Sequence, residues 1–199
     1  MNLTTQTGAA AQAAPAGPIL PKNRVPDELT AALTVLAEAH WPPPGDPDPT
    51  LPEVPRWDVS FFAPLLMAAA EPCLTGHFGA PPLAAGDRVG LVMAATRGDT
   101  VTQTAIDEAA NAPRPVPKHL LFQNVPSTAP GHLAALWGLA GPFVTLLATG
   151  CPLAAARERA ARLIATGDAD HVLAVALDPG DHPSRPGTAQ AQLLAASGR

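Results

Sequence analysis

The sequence predicts an α/β domain: a layered fold in which a mixed or mostly parallel sheet is flanked by helices. Three observations carry that expectation. Arg88 to Ala95 and Phe143 to Ala148 are short apolar runs bounded by turn residues, the pattern of strands buried on both faces. Between Phe143 and Leu177 a strand pattern, a helical pattern and a second strand pattern follow in order, the sequence form of a parallel crossover. The chain also has 199 residues, 47% of them hydrophobic, enough for one real core.

Taken in order, residues 1–22 are rich in Ala, Gln, Thr, Gly and Pro without a sustained period and read as a flexible tail, which leaves 23–199 as one domain. Leu29, Leu33, Leu36 and Ala37 recur at helical spacing behind Asp27 as N-cap, predicting a helix that stops at Trp41-Pro42. The Pro-rich stretch 42–49 cannot sustain a backbone ladder and reads as a surface loop. Phe61 to about Leu74 predicts a buried helix, with Pro64 tolerated in its first turn and Pro72 near its end. After the Ala85-Gly86-Asp87 turn, Arg88 to Ala95 predicts an interior strand, and Thr100 to about Ala110 a helix.

Pro113, Pro115 and Pro117 then impose a semi-extended linker. A helix from Pro130 or Gly131 to about Leu139 leads through Gly141-Pro142 into the strand Phe143 to Ala148. Pro152 opens a helix on which Leu153, Ala156, Ala160, Leu163 and Ile164 share a face, stopped at Gly167-Asp168. His171 to Leu177 is the next strand, and the Ala- and Gln-rich end of the chain predicts a short final helix.

Composition excludes several classes. With 12 basic and 17 acidic residues, a net charge of -5 offers no field for a phosphate backbone, so nucleic acid is not expected as a partner. No apolar stretch reaches the roughly 20 residues of a membrane span, and no leader-like segment opens the chain. Cys73 and Cys151 form no metal-ligand pattern. A reduced, cytoplasmic setting without bound metal is the expectation. A surface this poor in Lys and Glu is weakly protected against association, so an oligomer is expected.

Residues 124–177 are similar to the amino-terminal half of the β-ketoacyl synthase family. The resemblance rests on Pro126-Ser127-Thr128-Ala129-Pro130-Gly131-His132, on Gly138-Leu139-Ala140-Gly141-Pro142 and on Gly167-Asp168-Ala169-Asp170, with matching mutual spacing. Weaker support extends it over roughly residues 55–185. Within the family the chain resembles small ketosynthase-like amino-terminal domains of type II polyketide or unusual fatty-acid gene sets. The resemblance implies a single-half, thiolase-like fold and contact with a ketosynthase or an acyl carrier protein. It also implies that any use of a phosphopantetheine arm is indirect, with no cofactor bound.

In that family a strand enters a helix at a Thr-Ala-Cys-like elbow whose cysteine accepts an acyl group. Counting from Gly141-Pro142 puts Gly150 in the nucleophile slot and Cys151 one residue beyond it. Glycine carries no nucleophilic atom, so acyl-enzyme chemistry is lost at that slot. The two histidines that activate the thiolate belong to the family's second half, and the chain is expected to lack that half. The expectation is a noncatalytic accessory subunit that shapes the acyl-chain site of a catalytic partner. Its rivals are a small acyltransferase or thioesterase using Cys151, and a self-associating structural protein without acyl ligand.

The remaining candidates each carry two readings. Cys151 precedes a helix N-terminus that would stabilise a thiolate, or is structural. His132 holds an acyl carrier's arm, or caps and packs; Trp137 and Thr149 line an acyl site, or serve the core and the turn. Asp168 and Asp170 read as a helix stop and turn in preference to a metal pair. Phe143, Val144, Thr145, Leu146 and Leu147 correspond to the strand that in the resembling family pairs antiparallel with its mate across a dimer interface, or serve only the chain's own sheet.

Overall fold

In the computed structural model the sheet is assembled from both ends of the chain. The structure describes residues 30, 32–84, 86–113, 115–182 and 185–197. Along them run β1 (Leu33–Trp41), α1 (Phe62–Phe78), β2 (Val89–Ala95), α2 (Thr100–Ala110), α3 (Lys118–Gln123), α4 (Thr128–Trp137), β3 (Phe143–Leu147), α5 (Pro152–Ala165), β4 (His171–His182) and β5 (Arg185–Ala196). The expected tail, together with Asp27 and Leu29, falls outside the described residues.

The five strands lie in the order β1-β5-β4-β2-β3. One half is parallel: β2 pairs with β3 from Leu91↔Phe143 to Ala95↔Leu147, and with β4 from Val89↔His171 to Ala95↔Leu177. β2 is buried along its whole length because it has a strand on each side and a helix layer on each face. The connection β3–α5–β4 passes over β2, the parallel crossover that the sequence predicts. The other half is antiparallel, β5 pairing with both β4 and β1.

That antiparallel half corrects two expectations. The helix expected up to Trp41 is the strand β1, and the Ala- and Gln-rich final helix is the strand β5. From residue 37 to 41 the real period is two: Ala37, Ala39 and Trp41 pack in the core under α1, while Glu38 and His40 point away from it. In β5, Ala189, Ala191 and Leu193 face that same core, and Leu194 joins the core under α5. Helix propensity favours Ala, Leu and Gln by only a few tenths of a kcal/mol per residue. Ladders on both sides of β5 and burial of alternate residues outweigh it.

Each face of the sheet carries one core. Leu65, Leu66, Leu74, Leu133 and Trp137 of α1 and α4 pack against Leu91, Met93, Leu173, Val175 and Leu193. On the other face Ala156, Ala160 and Leu163 of α5 pack against Val92, Ala94, Val172, Ala174 and Leu194. Alanines at those α5 positions let the helix lie close to the strands. Helix α1 runs four residues past the expected end at Leu74; Thr75, Gly76 and His77 are exposed, and the partly buried Phe78 packs against the core at its end. Arg88 ties the start of β2 to the turn before β4, donating to both carboxylate oxygens of Asp170 at 3.1 and 3.0 Å and to the Gly167 carbonyl at 2.8 Å.

Candidate functional site

The strand-to-helix elbow is set by backbone contacts at both ends of β3. At the entrance Gly141 N–H donates to the Val89 carbonyl at 3.1 Å, and Leu91 N–H donates to the Pro142 carbonyl at 3.0 Å. A Cβ on Gly141 would lie 2.6 Å from the Gly90 nitrogen, so the approach of this turn to β2 requires glycine. At the exit Ala148 N–H donates to the Ala95 carbonyl at 2.9 Å, after which Thr149 and Gly150 form an exposed bend. Cys151 is the N-cap of the 14-residue helix α5 and Pro152 fills its first turn.

Gly150 differs from Gly141. A Cβ there would meet nothing within 4 Å, and its φ is not left-handed. Neither space nor backbone conformation therefore demands glycine at this position. Cys151 is exposed, and its side chain makes no capping hydrogen bond. It lines a cavity of about 450 Å³ with His40, Leu153, Asp178, Thr188 and Gln190. His40 Nε2 lies 3.3 Å from Glu38 Oε1. The same carboxylate oxygen accepts from Gln190 Nε2 at 2.5 Å and Gln192 Nε2 at 2.9 Å. Those two amides, Gln192 first, hold the Glu38 carboxyl below the usual carboxylate range. Arg157 of α5 donates to Gln192 Oε1, which fastens the cluster to the elbow helix.

The other cysteine has the opposite character. Cys73 is 1% exposed, donates to the Ala37 carbonyl at 3.4 Å, and burial pushes its thiol up to about 11. It is a core residue.

The remaining candidates separate into three places. Trp137 is 1% exposed and sits in the core under α4. His132 stands one turn earlier on α4, its ring 5.5 Å from that of Trp57. Glu71 lies within electrostatic reach of His132; burial raises the Glu71 carboxyl above its ordinary value and the histidine opposes the rise. Asp170 is taken up by Arg88, and Asp168 accepts from Thr166 Oγ1 at 2.6 Å, so both serve the turn. Phe143 to Leu147 form β3, the strand at the end of the sheet. Phe143 is 48% and Leu147 73% exposed.

Glu38 and His40 were not among the residues expected at the site. The signal for them is the alternation of Ala37, Ala39 and Trp41 with Glu38 and His40, which becomes legible once this segment is read as a strand.

No curated protein matches the chain. Among solved structures, the ishigamide ketosynthase/chain length factor matches with a TM-score of 0.58 at 20% identity, over 71% of this chain and 45% of that one. A type II PKS acyl-carrier protein in complex with its ketosynthase, AntDE:AntF, matches with a TM-score of 0.54 at 16% identity, over 69% and 46%. The ketosynthase ApeO in complex with its chain length factor ApeC, from Xenorhabdus doucetiae, matches with a TM-score of 0.62 at 15% identity, over 83% and 79%. The chain thus spans a little under half the length of the first two, and at these identities the likeness is one of fold. The family model for the β-ketoacyl synthase N-terminal domain matches residues 37–199, a wider span than the resemblance in 55–185. The chain belongs to the β-ketoacyl synthase N-terminal domain family.

Proposed function

We propose that the chain is a noncatalytic, ketosynthase-like accessory subunit of a cytoplasmic type II polyketide or fatty-acid-like assembly. The observation that carries this reading is Gly150: the slot for the acyl-accepting cysteine holds no side chain, although the space for one is open. The elbow itself is intact, with Gly141-Pro142 seated on β2 and Cys151-Pro152 opening α5. A fold kept without its nucleophile can contribute to condensation by holding a partner's acyl chain in place and excluding water. The partner would be a ketosynthase carrying the cysteine and histidines, served by an acyl carrier protein whose phosphopantetheine arm this chain does not itself load. Three matched structures contain a ketosynthase, two of them with a chain length factor. These likenesses support the choice of partner.

The β3 edge would be the contact between the two subunits. Co-expression with the ketosynthase and carrier protein of the same gene set, followed by native mass measurement, tests the reading. A stable complex is expected, with condensation lost when this chain is left out. A chain that stays apart from every ketosynthase and carrier offered to it would overturn the proposal and favour the self-associating structural protein.

One observation favours a second reading, a small cysteine-dependent acyltransferase or thioesterase. Cys151 and His40 line one cavity, and Glu38 stands behind the imidazole. A thiol, an imidazole and a carboxylate in that order can form a nucleophile, its base and the group that orients the base. Against it, no hydrogen bond joins Cys151 to His40 among the described residues. Cys151→Ala would abolish thioester turnover under this reading, and turnover that survives the substitution would remove it.

A further inference from the structure

A cavity of about 740 Å³ opens between the loop before α1, the short helix α3 and the first turns of α4. Arg56, Lys118 and His119 line it beside Trp57, Phe122 and Gln123, and no carboxylate belongs to the lining among the described residues. His132 of α4 lies against Trp57 on the same lining, the ring centres 5.5 Å apart. Such a gathering is unusual in a chain of net charge -5 whose lysines are only Lys22 and Lys118. Among the described residues, neither Arg56 nor Lys118 is in an ion pair. The acids nearest in sequence, Glu53 and Asp58, line an adjoining cavity with Arg56, and Glu71 faces His132 from α1. Cations gathered without an acid to neutralise them suit an anion, and Arg with Lys suits a phosphoryl group. Arg56 also has a φ of 75°, the one positive value among the described non-glycine residues. Bulky side chains rarely take that conformation, and such backbones recur where a ligand is clamped.

Two further observations are independent of charge. Phe122 is 67% exposed although it belongs to the lining, and Trp57 brings a second aromatic ring to the same cavity. An exposed phenyl ring near an indole is a platform on which a flat ring stacks. Gln123 is 5% exposed, yet neither its amide oxygen nor its amide nitrogen has a partner, and the Trp57 indole N–H is unpaired as well. Buried polar groups are normally satisfied, so these atoms mark donors and an acceptor that a ligand completes. The enclosed amide is reached where the wall beside it gives, and Phe122 is the exposed part of that wall. A flexible aliphatic stem would leave both rings without a stacking partner, and a purely apolar ring would leave the amide unpaired. Adenine answers both needs: it is flat, its N6–H stands beside the N7 acceptor, and the amide of a glutamine meets that edge with two hydrogen bonds. Its other ring nitrogens remain to accept from an indole N–H.

We infer that this cavity binds an adenine nucleotide, with the base on Trp57 and Phe122 against the Gln123 amide and the phosphate on Arg56, Lys118 and His119. The size of the cavity suits one such ligand. The net charge that argues against a nucleic-acid backbone does not oppose a single nucleotide, which needs only the local cations.

Calorimetric titration of the full chain with AMP, GMP, adenosine, ribose 5-phosphate and 4′-phosphopantetheine tests the inference. AMP should saturate one site. Adenosine lacks the phosphate, and ribose 5-phosphate and phosphopantetheine lack the base, so each should bind at least about tenfold more weakly. GMP, whose corresponding edge offers two acceptors, should bind at least about fivefold more weakly. Arg56→Gly should weaken AMP by about tenfold and leave adenosine unchanged, with no fall in melting temperature, because glycine takes a positive φ freely. Gln123→Leu should weaken AMP and leave ribose 5-phosphate unchanged, also with no fall in melting temperature, since an unpaired buried amide gives way to an apolar group of similar size. Absence of saturable AMP binding, equal affinity for GMP, ribose 5-phosphate or phosphopantetheine, or indifference to Arg56→Gly would each overturn it. The titration needs neither a ketosynthase nor an acyl group, so its result stands apart from the accessory-subunit reading.

Discussion

The sheet has two edges, and they are treated differently. β1, at one end, is nine residues long, is interrupted by a bulge between Val35 and Ala37, and carries Glu38 and His40 on its outer half. Bulges and charges are the usual means of keeping an edge from pairing with another chain. β3, at the other end, is Phe-Val-Thr-Leu-Leu, regular throughout and without charge. Its Phe143 and Leu147 are exposed, and Leu121, Phe122, Val125 and Leu136 are further exposed apolar side chains on α3, the turn after it, and α4. One edge is guarded and the other is bare. The difference teaches where a second strand fits: antiparallel addition to β3 would extend the sheet and cover apolar surface in one step.

The largest effect is expected at the bare edge. The bonds Leu91 N–H to Pro142 and Ala148 N–H to Ala95 fix the alternation of the ladder, so Phe143, Thr145 and Leu147 turn their backbone groups away from β2. Thr145→Pro removes an outward donor without touching the β2 ladder. It should weaken association by about 3 kcal/mol, roughly a hundredfold, as read by sedimentation. Val35→Lys on the guarded edge should leave association unchanged. Equal sensitivity of both edges would break the comparison.

Next come the two glycines that bracket β3. Gly141→Ala drives a methyl into the Gly90 backbone and should cost about 1–3 kcal/mol in thermal or urea unfolding. It should reduce association as well, since the start of β3 is displaced. Gly150→Ala meets no atom and should be neutral or stabilise by about 0.4–1 kcal/mol. A large loss at Gly150 would mean that glycine is there for the fold, contrary to the reading of the empty slot.

The smallest effect is expected at the guarded edge, in the pH dependence of Glu38. Gln192 and Gln190 lower its folded-state pKa, so it adds stability above the unfolded carboxylate value and loses it as pH falls through the lowered folded value. Glu38→Gln should therefore unfold at lower temperature than the native chain near pH 7, and the gap should shrink on acidification below about pH 4. A gap that stays constant across that range would remove the carboxylate from the account of β1.

How far these features are legible in the sequence follows from their locality. β2, β3 and the part of β4 from Val172 to Leu177 are apolar runs broken only by Thr145 and declare themselves, as do α1, α2 and α5, whereas the continuation of β4 through Asp178 to His182 does not. β1 and β5 are built from Ala, Leu, Gln and Glu, residues with helical preference, and become strands only because each finds the other across more than a hundred residues. Misreading β1 hid Glu38 and His40, although the elbow beside them, with Gly150 and Cys151, is visible by counting from Gly141-Pro142. The basic cavity is hidden for the same reason: Arg56, Lys118 and His132 come from three separate segments whose meeting no local pattern announces.

The central claim is that this chain carries no acyl group of its own. Intact-mass measurement of the full chain after incubation with an acyl thioester, alone and with a ketosynthase of the same gene set, tests it most directly. The account predicts an unchanged mass for this chain in both cases and an acyl adduct on the ketosynthase. A hydroxylamine-labile adduct mapped to Cys151 would contradict it.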